Sequence, residues 1–359
     1  MKKYNKIVAP IALAGLFILP TNNLLAGNPD RSGQAGATEL LINPWARSSG
    51  WAGSNIAGAR GLEATFLNVA GTAFTKKTEI LFTRTNWLKG TDININAFGL
   101  TQRVGETGAI GLSIMSMDFG DIPITTVDNP EGGIGTFSPQ FVNIGLSYSK
   151  GFSDNIYGGL ALKVISERTA NVSARGVAFD AGIQYVTGKY NQMKFGISLK
   201  NVGPRMKFSG DGLSMKAEIP GSTQNVTYTV ENRTAQFELP SLLNIGCGYD
   251  FYLKKDTVSM KTHRLTAMGA FTSNSFEKNN LKIGLEYGWK NIVMVRVGYC
   301  HEKDIRNKDK RTTVFTGPSA GFTVEIPFGK NKSTFAIDYS YRATDPFQGT
   351  HSFGARINL

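Results

Sequence analysis

The chain of 359 residues is 41% hydrophobic and 18% charged, with a formal net charge of +12 and two cysteines. That size admits a large core and excludes a disulfide-stapled mini-domain. Past the first segment no run reaches the roughly 18 apolar residues of a membrane helix, so helical spanning is excluded.

Residues 1–26 read as a secretory signal peptide. Lys2, Lys3 and Lys6 precede the apolar stretch Ile7 to Leu19, and Leu25-Ala26-Gly27 offers a cleavage site, with Leu24 large for its position. Loss of the three lysines leaves a charge of about +9. The remaining basic residues are scattered rather than blocked. That distribution in an exported chain argues for anionic lipid headgroups or acidic partners and against nucleic acid.

Residues 27–77 show neither a helical period nor clean alternation, yet they are too apolar for a disordered tail. Asn43-Pro44-Trp45-Ala46-Arg47-Ser48-Ser49-Gly50-Trp51-Ala52-Gly53 is rich in small residues and carries two tryptophans. The expectation is a plug seated in the periplasmic end of a wide barrel.

From residue 78 to the end one pattern repeats. In Leu281-Lys282-Ile283-Gly284-Leu285-Glu286-Tyr287-Gly288-Trp289 the odd positions are apolar and the even ones polar or small. A period of two is a strand, and a chain of such strands without helices predicts a transmembrane barrel. Fourteen segments are expected: 78–88, 91–103, 107–118, 137–149, 155–167, 175–187, 192–202, 241–254, 262–273, 280–289, 291–301, 313–328, 332–342 and 350–359. The fold class is therefore all-β, a 14-stranded antiparallel barrel in the outer membrane with an N-terminal plug. Connections after even-numbered segments are short and those after odd-numbered ones are mostly long, as periplasmic turns and external loops should be. The connection around Trp87 to Asp92 breaks that rule. Many of the 41 glycines fall opposite the apolar face, where a concave inner wall favours them.

Two aromatic girdles are expected. Tyr148, Tyr185, Tyr249, Phe251, Tyr287, Trp289 and Phe328 mark the periplasmic level, and Tyr299, Tyr339 and Tyr341 the outer one. The last segment puts Phe353, Ala355, Ile357 and Leu359 toward lipid and resembles an assembly signal with Leu in place of terminal Phe.

Alternation places Glu286, Arg296, Glu325, Asp338 and Arg356 on the lumen side of the last five strands. They read either as a charge ladder that binds plug residues Glu39, Arg47, Arg60 and Glu63, or as hydrated lumen charges. Two external loops carry partner-binding candidates: Ile122 and Ile124 in 119–136, and Phe208, Met215, Tyr228 and Phe237 in 203–240. Thr227 to Glu231 is expected to pair with Thr234 to Leu239. The basic loop Lys303, Arg306, Lys308, Lys310 and Arg311 suits lipopolysaccharide phosphates, an acidic partner or plain solvent.

No catalytic constellation emerges, and no cofactor or metal is expected. His263, His301 and His351 lack metal spacing, and no Gly-X-Ser-X-Gly is present. Gly132-Gly133-Ile134-Gly135 precedes no helix, and Asp118, Asp121 and Asp128 do not have the spacing of a calcium loop. Cys247 and Cys300 lie on separate segments and read as free thiols.

Three short elements carry a resemblance. Asn68-Val69-Ala70-Gly71-Thr72-Ala73 is similar to the Asn-Pro-Ala-Gly-Leu-Ala element of FadL-type barrels, with Val69 for the proline. Lys200-Asn201-Val202-Gly203-Pro204-Arg205-Met206, followed by Glu238-Leu239-Pro240-Ser241-Leu242-Leu243-Asn244-Ile245-Gly246 with its Leu-Pro and Gly-rich strand, resembles the PorV/PorQ family of FadL-like barrels from Bacteroidetes. The resemblance spans the mature chain. It implies a non-catalytic barrel of the type IX secretion system, whose partners are the translocon, the surface attachment complex and the C-terminal domains of secreted cargo. Two other readings stay open: a FadL-type channel for hydrophobic small molecules, and a structural subunit of another envelope complex.

Overall fold

In the computed structural model, which describes residues 31–218, 227–253, 262–329 and 333–359, the chain is a closed antiparallel barrel around a short-helix plug. The expected signal peptide lies outside the described residues. Fourteen strands form the wall: β1 Thr78–Asn86, β2 Asn94–Val104, β3 Gly108–Asp118, β4 Gln140–Gly151, β5 Ile156–Thr169, β6 Val172–Thr187, β7 Met193–Val202, β8 Leu242–Tyr252, β9 His263–Asn274, β10 Asn280–Trp289, β11 Val293–Glu302, β12 Phe315–Phe328, β13 Ser333–Thr344 and β14 Thr350–Asn358. Each pairs with its sequence neighbours, and β1 closes on β14 with Phe82 opposite Ala355. Closure leaves no wall edge unpaired, the condition for backbone in lipid.

The alternating pattern orients every strand. Phe82, Leu160, Ile183, Ile245, Val297 and Phe353 face outward and exposed, while the intervening residues are buried inside. Tyr148, Tyr185, Tyr287, Trp289 and Phe328 also point outward. Two girdle tyrosines bond histidines: Tyr287 Oη lies 2.7 Å from His263 Nδ1, and Tyr339 Oη lies 2.9 Å from His351 Nδ1. Cys247 and Cys300 are free.

The loop rule fails at one further point. Between β5 and β6 only residues 170–171 remain as connection. The two strands run for 14 and 16 residues, so residues that read as loop in the sequence continue the hairpin past the membrane. Phe208–Ser209 pairs onto that extension through Phe208 and Ala174.

The plug comprises the short helices Thr38–Leu41, Ala46–Ser49, Gly61–Glu63, Ala64–Leu67 and Val69–Phe74. It is not confined to the periplasmic end, as the sequence had suggested. Ala35 bridges Glu238 beside the outer start of β8, and Trp51 meets the middle of β11. Thr72 bonds Ser149 at 2.5 Å near the periplasmic end of β4. Trp45, Ile56 and Leu62 are almost fully buried. Burying them requires contact with the wall over its whole height, because a short segment cannot fill a fourteen-stranded lumen from one end.

Wall glycines make the fit. A Cβ on Gly298 would lie 2.3 Å from the Trp51 carbonyl carbon, so only glycine lets the plug backbone touch β11 there. Gly298→Val is expected to lower unfolding stability by about 1–3 kcal/mol, the usual cost of overpacking. Heat-modifiable electrophoresis in detergent measures this, with lipid-facing Ile283→Val as the silent control. Equal transitions for both variants would remove Gly298 from plug seating.

Candidate functional site

The lumen holds a connected set of charges. Glu286 on β10 accepts from Arg296 Nε at 3.0 Å and from Arg264 Nη2 at 2.7 Å, and plug residue Arg47 lies 3.9 Å away. Arg296 also donates to Thr323 Oγ1 at 2.7 Å, and Thr323 in turn bonds Asp338. Arg356 donates to Glu325 at 3.1 Å, and Thr334 donates to the other Glu325 oxygen at 2.7 Å. All five residues singled out by alternation thus face the lumen, in two linked groups. Glu286, Arg296 and Asp338 are essentially inaccessible to solvent. A buried carboxylate is tolerated when several charge-assisted donors replace its water, and Glu286 has them.

The expected plug contacts divide. Arg47 reaches the ladder, and Glu63 is buried with Arg47 and Arg356 as its leading favourable charges. Arg60 stacks 4.2 Å over the Phe74 ring instead. Glu39 sits at the opposite wall facing Glu167, and both its carboxyl oxygens lack a hydrogen-bond partner. Two pairs that the sequence reading missed, Lys163–Asp180 at 2.5 Å and Lys194–Asp250 at 2.6 Å, bridge the lumen faces of β5 to β8. The same alternation rule would have placed them inside.

Above the plug lies an outer vestibule of about 500 Å³. Ser49, Ala52 and Gly53 line its plug side, and Ile42, Leu67, Trp87, Met117, Phe119 and Phe315 contribute apolar surface. Lys282 on β10 and Arg342 on β13 face this space. Arg342 Cζ lies 3.6 Å over the Phe315 ring, and among the described residues neither cation forms an ion pair. Three carboxylates, Glu39, Glu277 and Glu302, line the same space. A second hollow, about 470 Å³, lies on the lipid face over Ala267 and Gly269 and is open to the bilayer rather than the lumen.

The loop candidates separate into two groups. Ile122, Ile124, Met215 and Tyr228 are exposed. Met215 pairs with Val230 and Ala217 with Tyr228, so one face of the hairpin Ser214–Glu218/Thr227–Glu231 is apolar. The expected pairing of Thr227–Glu231 with 234–239 does not form; Phe237 bridges Met206 instead. Phe208 and Phe237 are withdrawn from the loop surface. Their rings stand 5.6 Å apart against the cluster of Leu40, Ile165, Ala178, Met206 and Leu239. The basic loop is tied down in part, with Arg311 3.2 Å and Lys308 3.3 Å from Asp345.

The family-like elements sit at structural joints. Asn68 caps Val69–Phe74 by accepting from Ala70 N–H, and its amide reaches the Ile183 and Ile197 carbonyls at 3.0 and 3.2 Å. A Cβ on Gly71 would lie 2.1 Å from the Ala59 carbonyl oxygen. Asn201, at φ 59°, accepts from Lys163 Nζ at 2.9 Å and donates to the Pro240 carbonyl at 3.1 Å. Gly203, Pro204 and Leu239 line the notch beside it. Among the described residues no cluster of three or more metal-binding side chains occurs.

No family model and no curated protein matches this chain. Solved structures do. The Pseudomonas putida toluene transporter TodX aligns with a TM-score of 0.52 at 12% identity, over 88% of this chain and 97% of that one. The CymD monoaromatic hydrocarbon channel gives 0.51 at 12% identity, again over 88% and 97%. A Pseudomonas aeruginosa FadL homologue aligns at 0.47 and 13% identity over 88% and 96%. The chain therefore shares the outer-membrane barrel fold of the first two.

Glu286→Gln is expected to destabilise the plugged barrel by about 3–5 kcal/mol, because it leaves buried guanidinium groups without their counter-charge. Thermal unfolding in detergent measures this. In a double-mutant cycle with Arg47→Met, coupling indistinguishable from zero would detach the plug from the ladder.

Proposed function

We propose that this protein is a FadL-type outer-membrane channel whose outer vestibule receives an amphipathic small molecule with an apolar body and an anionic group. One observation carries this reading: Lys282 and Arg342 face an aromatic-lined cavity without an ion pair. An apolar cavity with a few convergent polar groups is the usual form of a small-molecule site. The similar structures are a monoaromatic hydrocarbon channel and a toluene transporter, and such hydrocarbons carry no charge. The two cations here favour a carboxylate or similar head beside a greasy tail. Onward passage requires the plug to shift, since it spans the lumen.

Purified protein should bind dodecanoate more tightly than dodecanol. Lys282→Ala with Arg342→Ala should weaken dodecanoate about tenfold per lost charge-assisted contact and leave dodecanol unchanged. Calorimetric titration in detergent reads both. Equal loss for acid and alcohol, or no binding of either by the wild type, sinks the assignment.

A second reading is supported by the motifs at Asn68–Ala73, Lys200–Met206 and Glu238–Leu242 and by the exposed apolar face of Met215, Ala217, Tyr228 and Val230. In it, the barrel is a PorV/PorQ-type component of type IX secretion that binds translocon, attachment subunits or cargo C-terminal domains through this hairpin. Met215→Ser with Tyr228→Ser should then abolish co-purification of a very large translocon or of cargo domains in gentle detergent, while dodecanoate binding persists. A lone barrel recovered from wild-type cells counts against this reading.

A further inference from the structure

We infer that the N-terminal segment is a strap, passing out of the lumen at the cell-exterior mouth and fastening the longest external loop to the plug. The path is set by contacts at both rims. At one rim Leu359 N–H donates to the Thr78 carbonyl at 2.9 Å, where β1 begins beside the end of β14. This is the periplasmic side, because the long connections 119–139, 203–241 and 303–314 all leave from the other end. At that other end, Ala35 forms a parallel bridge with Glu238, and Gly36 N–H donates to the Glu238 carbonyl at 3.1 Å. Arg31 pairs with the Glu238 carboxylate at 2.8 Å and stacks 4.3 Å over Phe276, which lies in the external connection between β9 and β10.

Glu238 is shared. Arg205, at the other end of the same loop, holds its second oxygen at 2.8 Å. The carboxylate thus joins the N-terminal segment to both stems of loop 203–241. Hydrogen bonding from Arg31, with further help from Arg205, holds the Glu238 carboxyl below the usual carboxylate range. The ion pairs are half-exposed and contribute little alone. The fastening gains from apolar burial one turn further in, where Ala37 and Leu40 pack with Ile165, Met206 and Leu239. Gly36 permits the approach, since a Cβ there would lie 2.3 Å from the Phe237 ring.

The consequence is mechanical. The plug is tied covalently to β1 at the periplasmic rim and by the strap at the outer rim. It cannot leave toward the periplasm as one body while the strap holds, and displacement of loop 203–241 is transmitted to it. This holds under either reading of the function.

Two measurements test it. Ser32 is exposed, so Ser32→Cys, with Cys247→Ala and Cys300→Ala, should react with a membrane-impermeant maleimide on intact cells. Its rate should fall within about tenfold of Val127→Cys, a freely exposed external position (98%). Labelling of Ser32→Cys only after the outer membrane is permeabilised overturns the path. Second, Ala35→Cys with Glu238→Cys in the same background should form a disulfide. Conductance openings in planar bilayers should then be at least tenfold rarer when oxidised than when reduced. The same opening frequency in both states, or failure of the pair to cross-link in a protein that labels normally at Ser32→Cys, overturns the strap.

Discussion

A barrel of fourteen strands encloses more space than its own inward side chains fill, and everything inside this protein answers to that. The wall must turn apolar groups to lipid, so its inner face carries the polar and charged ones. Water could solvate them. Instead residues 31–77 are folded into the lumen, where an unpaired buried charge is costly. Glu286 shows the result, with guanidinium groups from β9, β11 and the plug gathered on one carboxylate. Breaking such a group is costlier than never having built it, so the ladder makes seating the plug specific as well as favourable.

Small residues on the wall follow from the same constraint. The plug has only short helical turns and cannot present a continuous knob-like surface. Contact comes from backbone approaching backbone, at Gly298 against Trp51 and at Gly196 against Ala57. Asn68 then serves two strands at once, because its amide reaches the carbonyls of β6 and β7 beside Gly182 and Gly196. Where the plug stops short of the outer rim, the vestibule opens. Glu39, Glu277 and Glu302 share that space with Lys282 and Arg342, yet among the described residues none lies within ion-pair distance of either cation.

The vestibule and the hairpin of loop 203–241 are different kinds of surface within one mouth. The first is a walled cavity of mixed polarity, suited to a molecule that is enclosed. The second is an apolar strip of a loop hairpin, with Met215, Tyr228 and Val230 exposed. The strap links them, because residues adjoining Glu238 pack on the loop stem while Ile42, a few residues on, lines the cavity.

The alternating residues alone determined the fourteen strands, the lipid face and the inward set Glu286, Arg296, Glu325, Asp338 and Arg356. A strand has only two faces, and a bilayer accepts only one kind of residue on the outer one. Other features were closed to that logic. Nothing in the local pattern said that β5 and β6 would outrun the membrane, that Phe208 and Phe237 would fold inward, or that Glu39 would face Glu167 rather than the ladder. Lys282 stood on the wet face like many lumen residues; only the folded barrel shows it in the vestibule without an ion pair. The path of residues 31–77 had no period to reveal it, since irregular backbone takes its shape from what surrounds it. Those features were decided in three dimensions, by the closure of the wall around a segment whose backbone must find hydrogen-bond partners where it is buried.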